Sequence, residues 1–201
     1  NPGDDANHFT ITKADAEAQV AKIDDKNMPM TGNAALVQNV TYSEAIAGLG
    51  MRKLEAENSI KQYDQILNPT GDFVVLRLND VSSIAEIQAV TEENDPNGQL
   101  NKQGGYTSAI YFSSANINQN DTYGESLIDK GTAAGGCIEV YNTVDDAEKR
   151  NAYLSVFDGG ALGVGSHNVV GTIVVRTSDG LTATQQKDLE SEIINELVEL
   201  R

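Results

Sequence analysis

The sequence predicts an α+β fold of ferredoxin-like order: a βαββαβ antiparallel sheet plus a C-terminal helix, with an N-terminal helical extension. Three observations predict it. From Phe73 onward, short apolar or β-branched runs alternate with capped amphipathic stretches. These runs follow in the order strand, helix, strand, strand, helix, strand, which is the split βαβ pattern. Turn signals separate them, notably Asn68-Pro69-Thr70-Gly71 and Asp95-Pro96-Asn97-Gly98. A chain of 201 residues suffices for one domain with an appendage. A core of that size needs neither disulfide nor metal to be stable.

Residues 1–40 read as a flexible tail with a short helix and a linker. In the helix, Thr12 to Ile23, Ala16, Val20 and Ile23 share a face. The linker holds Pro29 and Gly32. Residues 41–70 read as a helical extension. Thr41-Tyr42-Ser43-Glu44 forms a capping box, and Ala56, Ile60, Tyr63 and Leu67 fall on one face. Gly48 and Gly50 weaken its start and are expected to split it.

Residues 71–201 hold the predicted ferredoxin-like domain. Phe73-Val74-Val75-Leu76-Arg77-Leu78 reads as a central strand, because it is nearly all apolar. Ser83-Ile84-Ala85-Glu86 caps a helix with Ile84, Ile87 and Val90 inward. Tyr106 to Ser113 is a strand, Asn116 to Gly136 a long polar loop, and Cys137 to Tyr141 a strand. Thr143-Val144-Asp145-Asp146 opens a helix that buries Ala147, Leu154 and Phe157, with its acids favourably placed at the helix start. Gly159 to Gly165 breaks it. Asn168 to Thr177 is the last strand. Thr182-Ala183-Thr184-Gln185 caps a final helix whose stripe is Leu189, Ile193, Leu197 and Leu200. The expected spatial strand order is 4-1-3-2.

Side-chain alternation along these strands predicts an outer sheet face. It carries Phe73, Val75, Arg77, Cys137, Glu139, Tyr141, Val174 and Arg176. Such a face is rarely left bare. A helix of the same chain or a second copy is expected to cover it. Arg77, Glu139, Tyr141 and Arg176 are its polar members and the candidate ligand- or partner-binding residues.

Charge and composition narrow the chemistry. Fourteen Lys and Arg against 30 Asp and Glu give a formal charge of −16. That field repels phosphate backbones and anionic lipid, which argues against nucleic acid and membrane surfaces as partners. No run of about 18 apolar residues marks a transmembrane helix. One cysteine, two histidines and no tryptophan leave little for metal or triad chemistry. Cys137 and His167 are the one thiol–imidazole combination, expected two strand spacings apart, about 10 Å, where a catalytic pair needs about 3 Å. The stretch Gly159-Gly160-Ala161-Leu162-Gly163-Val164-Gly165-Ser166 lacks the lysine of a phosphate loop and runs from helix to strand, the reverse of that motif. Glu93, Asp95, Asn97 and Gly98 have EF-hand-like spacing, but Gly104 stands where the bidentate acid belongs. The expectation is therefore no catalytic residues, no metal and no cofactor.

The C-terminal segment carries a resemblance. Tyr141-Asn142-Thr143, Lys149-Arg150-Asn151-Ala152-Tyr153-Leu154, Phe157-Asp158-Gly159, Gly165-Ser166-His167 and Val170 to Ser178, followed by Leu181-Thr182-Ala183-Thr184-Gln185-Gln186, resemble the C-terminal part of a group of exported proteins from Gram-positive bacteria, many of them lipoproteins. The resemblance covers about the last third of the chain. It implies location and no chemistry: an exported, extracellular or cell-surface protein, with a lipidated cysteine upstream of Asn1 in the lipoproteins. Together these readings predict a non-enzymatic cell-envelope binding or interaction module. Its partner would be an envelope protein or a small ligand. The alternative is a small-ligand-binding protein or an enzyme whose pocket forms between sheet faces in a homodimer.

Overall fold

The computed structural model describes residues 39–158 and 165–201. The expected tail helix and linker up to residue 38, and the glycine-rich stretch 159–164, lie outside them. Contacts divide the chain into two units. One holds the residues up to Asp64 with Leu200, and the other holds Gln65–Glu199 with Arg201.

Helix α1 runs Asn39–Gln65, all but its last residue in the first unit, and begins two residues ahead of Thr41. Gly48 and Gly50 do not split it. A Cβ added at either would meet nothing within 4 Å, so both sites tolerate a side chain. Gly48→Ala and Gly50→Ala should each stabilise α1 by about 1 kcal/mol, by removing the backbone entropy that glycine loses in a helix. Far-ultraviolet circular dichroism during heating measures this, and a fall in helix content in either variant would refute it.

The second unit is built on a five-stranded, wholly antiparallel sheet. Its strands are β1 (Ile84–Ala89), β2 (Tyr106–Ser114), β3 (Gly135–Tyr141), β4 (His167–Val170) and β5 (Ile173–Thr177), in the order β1-β2-β3-β5-β4. Among the described residues, four α-helices accompany it: α2 (Gly71–Leu78), the one-turn α3 (Leu127–Lys130), α4 (Val144–Ser155) and α5 (Ala183–Val198). The class is α+β with a C-terminal helix, as expected. The ferredoxin-like order 4-1-3-2 is not found.

Two exchanged elements and one divided strand account for the difference. Phe73–Leu78 is helical, not a strand. Thr70 caps it by accepting from the Phe73 N–H at 3.2 Å, and Asp72 and Arg77 sit at the helix ends that suit their charges. The apolar run sorts at helical spacing: Val74 and Leu78 are buried, while Leu76 is 61% exposed. Ile84–Ala89 is a strand, not a helix. It pairs with β2 as an edge, Ile87 opposite Phe112, with the Glu86 side chain exposed. The long β-branched run 168–177 divides into a hairpin, because Gly171 at φ +60° turns the chain. An added Cβ there would stand 2.5 Å from Ile66 O. Thr172 fixes the turn, since its N–H donates to Ile66 O at 3.1 Å and its Oγ1 accepts from the Asn68 N–H at 2.6 Å.

The sheet is the middle of three layers. On one face Ile110, Ile138 and Val175 stand in register, with Val140 beside Ile173. Helices α2 and α5 cover this face, bringing buried Val74, Leu78, Leu189, Ile193 and Leu197. On the other face lie Ala109, Tyr111, Cys137, Tyr141 and Val174, which cluster with Ala147 and Leu154 of α4 and with Leu127, Ile128 and Ala134. The face expected to be outermost is thus buried under segments of the same chain. Fully burying a large apolar side chain contributes about 1.5–3 kcal/mol, and both faces do so.

Candidate functional site

Glu139 sits on β3 in the centre of that covered face and is 1% exposed. A lone carboxylate there would carry a heavy desolvation cost. Four donors meet it instead. Arg150 on α4 donates in fork geometry, Nε to Oε2 at 2.7 Å and Nη2 to Oε1 at 2.9 Å. Arg176 on β5 donates Nη1 to Oε1 at 2.9 Å. Tyr141, two residues along β3 and so on the same face, donates its hydroxyl to Oε2 at 2.9 Å. Burial pushes the Glu139 carboxyl up, but Arg150, Arg176 and Tyr141 together outweigh it and hold the group below the ordinary glutamate value. The same contacts act oppositely on Tyr141. Its burial and the neighbouring carboxylate push the phenol well above its usual value.

Of the four candidate residues, the structure brings three together: Glu139, Tyr141 and Arg176. It sets Arg77 apart. Arg77 lies on α2, beyond the opposite face of the sheet, where its Nη2 donates to Glu199 O at 2.8 Å. Its guanidinium stacks over Phe73, 5.0 Å from the ring centroid. Its Nε and Nη1 are buried without a hydrogen bond. The separation follows from α2 being a helix, since the strand reading had placed Arg77 beside Glu139.

Arg150 is the member that the pattern reading missed. A signal existed. Arg150 is three residues past Ala147 and four before Leu154, both buried, so it shares the buried side of α4. A cation on a buried stripe calls for a buried acid.

Beside this cluster opens a cleft of about 470 Å³, lined by Asn97, Gln99, Gly104, Gly105, Tyr106, Tyr141, Asp146, Lys149, Arg150 and Tyr153. Its volume lies within the roughly 300–1,000 Å³ usual for small-molecule sites. One wall is the 91–105 loop. The turn expected at Asp95-Pro96-Asn97-Gly98 is present, with Gly98 at φ +59°. Asp95 organises the loop, accepting from the N–H of Asn97 at 3.0 Å, Gln99 at 2.6 Å and Leu100 at 2.7 Å, and from the Tyr106 hydroxyl. Burial opposes its charge, but these hydrogen bonds prevail and hold its carboxyl below the ordinary aspartate value. They also occupy the oxygens that an EF-hand-like reading would offer to calcium. Tyr106 stands edge-on to Tyr141, with centroids 6.5 Å apart and planes at 81°. The other wall is α4. There Tyr153 is 57% exposed, braced edge-on by Phe157 at 5.3 Å, with the Arg150 guanidinium 5.6 Å from its centroid.

The remaining candidates stay apart. Cys137 is fully buried, and its thiol is pushed well above the usual range by burial and by the Glu139 charge. Strand register sets Arg176 between Cys137 and His167. His167 is held on both ring nitrogens, Nδ1 2.6 Å from Asn151 Oδ1 and Nε2 3.1 Å from Asp158 Oδ1. Ser166 points to the opposite face, 3.0 Å from Glu190 Oε2, so Ser166 and His167 do not form a nucleophile–base pair. A thiol reagent such as Ellman's should leave native Cys137 unlabelled and label it fully in denaturant. Rapid labelling of the folded protein would overturn this burial.

Among the described residues, no helix is long and apolar enough to cross a membrane, and no group of three or more His, Cys, Asp or Glu could hold a metal ion. No protein-family model, curated protein or solved structure matches this chain.

Proposed function

We propose that this protein is a non-catalytic binding module that takes a small ligand, or a small protruding group of a larger partner, in the cleft between the 91–105 loop and α4. The observation that carries this reading is the cleft's construction. Both walls are fixed from within, one by Asp95 and Tyr106 and the other by the Glu139 fork on Arg150. A site whose walls are ordered before the ligand arrives loses less entropy on binding. The resemblance of the C-terminal third supports an exported, envelope-associated setting for it. A pocket between two bare sheet faces of a dimer has less support, because α4 and the α3 segment already cover that face.

Nuclear magnetic resonance titration of isotope-labelled protein tests the reading. The probes are inorganic phosphate, citrate, spermidine and maltotetraose. At least one should shift the amide signals of Gly104, Gly105, Lys149 and Tyr153 together. If none does so, the cleft is not a binding site and the reading fails.

A further inference from the structure

The two cations lining the cleft already face acids of the same chain, Arg150 in the interior and Lys149 at the exposed surface. Arg150 is committed to Glu139 through two hydrogen bonds. Lys149 is paired with Asp145 at 2.5 Å. Asp146 accepts from the Thr143 hydroxyl at 2.6 Å. Around the cleft, Glu139 lies between Arg150 and Arg176, and Asp145 pairs with Lys149. An anionic ligand would compete with Glu139 for Arg150 and with Asp145 for Lys149. An anion would also approach against a molecule of net charge −16.

What the cleft does offer is uncharged. Asn97 and Gln99 supply amide oxygens from the loop wall, their amide nitrogens donating to the Tyr106 hydroxyl and to Asn97 O at 3.4 Å, and Gly104 exposes backbone, while Gly105 beneath it is buried with its N–H on Lys102 O. The Gly105 backbone runs so close to Gln99 that an added Cβ would stand 2.1 Å from Gln99 O. Tyr153 presents an exposed aromatic ring, with Phe157 edge-on to it and the Arg150 guanidinium over it. An exposed aromatic ring beside planar amides suits a ring that is apolar on its flat face and hydroxyl-bearing at its edge. We infer that the cleft binds a neutral saccharide, one sugar ring packing on Tyr153 and its hydroxyls meeting Asn97, Gln99 and the Gly104 backbone. The inference rests on the cleft being a ligand site, as proposed above.

The test compares neutral and charged probes on the same labelled protein. Maltotetraose and chitotetraose are the neutral probes, and inorganic phosphate, citrate and spermidine the charged ones. The expected result is saturation transfer from the protein to the ring protons of a neutral oligosaccharide, with a Kd on the order of millimolar. Amide shifts should be confined to the cleft, and binding should be insensitive to salt, since no ion pair forms. Tyr153→Ala should weaken binding about tenfold or more. Gln99→Ala, on an exposed loop side chain, should weaken it without touching the Glu139 cluster. If phosphate, citrate or spermidine shifts the cleft amides and neither oligosaccharide does, the saccharide inference falls while the cleft remains a ligand site. If no probe shifts them, both fall. If an oligosaccharide binds equally well to Tyr153→Ala and to Gln99→Ala, the placement described here is wrong.

Discussion

Replacing Glu139 with glutamine should destabilise the fold by about 3–5 kcal/mol, the usual cost of removing one partner from a buried ion cluster. The shape of the side chain is kept, so the loss is electrostatic. Arg150 and Arg176 would face each other across a neutral amide in the sheet interior, and the Tyr141 hydroxyl would lose its charged acceptor. Arg176 would suffer most, since its Nε is already buried without a partner. Urea unfolding should show a lower midpoint with an unchanged slope. Removing the whole cluster, as Glu139→Leu with Tyr141→Phe, Arg150→Met and Arg176→Met, should cost less than the single change. Apolar side chains of similar volume replace a buried ion cluster at little or no loss. A single variant within about 1 kcal/mol of wild type would show that the cluster is solvated.

The cluster also sets the acid limit. The Glu139 carboxyl is held below its ordinary value in the folded state. Its contribution is therefore complete above the unfolded glutamate value, about 4.3. It is lost as the pH falls through the lower folded value, because the unfolded chain takes up the proton first. Glu139→Gln should flatten the fall in stability below about pH 4. Stability-versus-pH curves of the two proteins that stay parallel would contradict this.

Phe112→Ala should cost about 3–5 kcal/mol, the range for emptying a buried aromatic site. Phe112 is fully buried on β2, and its partner in register on β3 is Gly136. The ring occupies the space that a side chain at Gly136 would need. An added Cβ there would stand 2.3 Å from Phe112 Cζ and 2.2 Å from Arg176 O. Gly136→Ala should accordingly destabilise by overpacking, about 1–3 kcal/mol. The two changes should couple, because removing the ring relieves one clash. The double variant should be more stable than the sum of the single losses predicts. It should not recover fully, since the clash with Arg176 O is with backbone. Strict additivity would mean that the ring and the glycine do not share this space.

Some of this was legible from the residues alone. The caps at Thr143 and Thr182 and the Asp95 turn are as expected, and of the expected stripe Leu189, Ile193 and Leu197 are buried, while Leu200 lies past the helix end and is exposed. Each rests on chemistry within a few residues: a side-chain oxygen reaching a free N–H, or a spacing of three and four. Alternation along β3 placed Glu139 and Tyr141 on one face, and they do share a hydrogen bond.

Elements decided by distant partners were not legible. The run Phe73–Leu78 satisfies a buried strand and a short helix equally well, and so does Ile84–Ala89 with the types reversed. Short apolar runs carry too few residues for periodicity to separate the two. Pairing with β2 settles the second segment, and packing on α5 and β2 settles the first. Arg77 and Arg150 changed places in the site for that reason. The sequence by itself determined the caps at Thr143 and Thr182, the Asp95 turn and the acidic, cysteine-poor chemistry, because those depend on near neighbours or on composition. Only the tertiary structure decided which arginine meets Glu139 and where the cleft opens, because both depend on side chains brought together from β3, β5, α4 and the 91–105 loop.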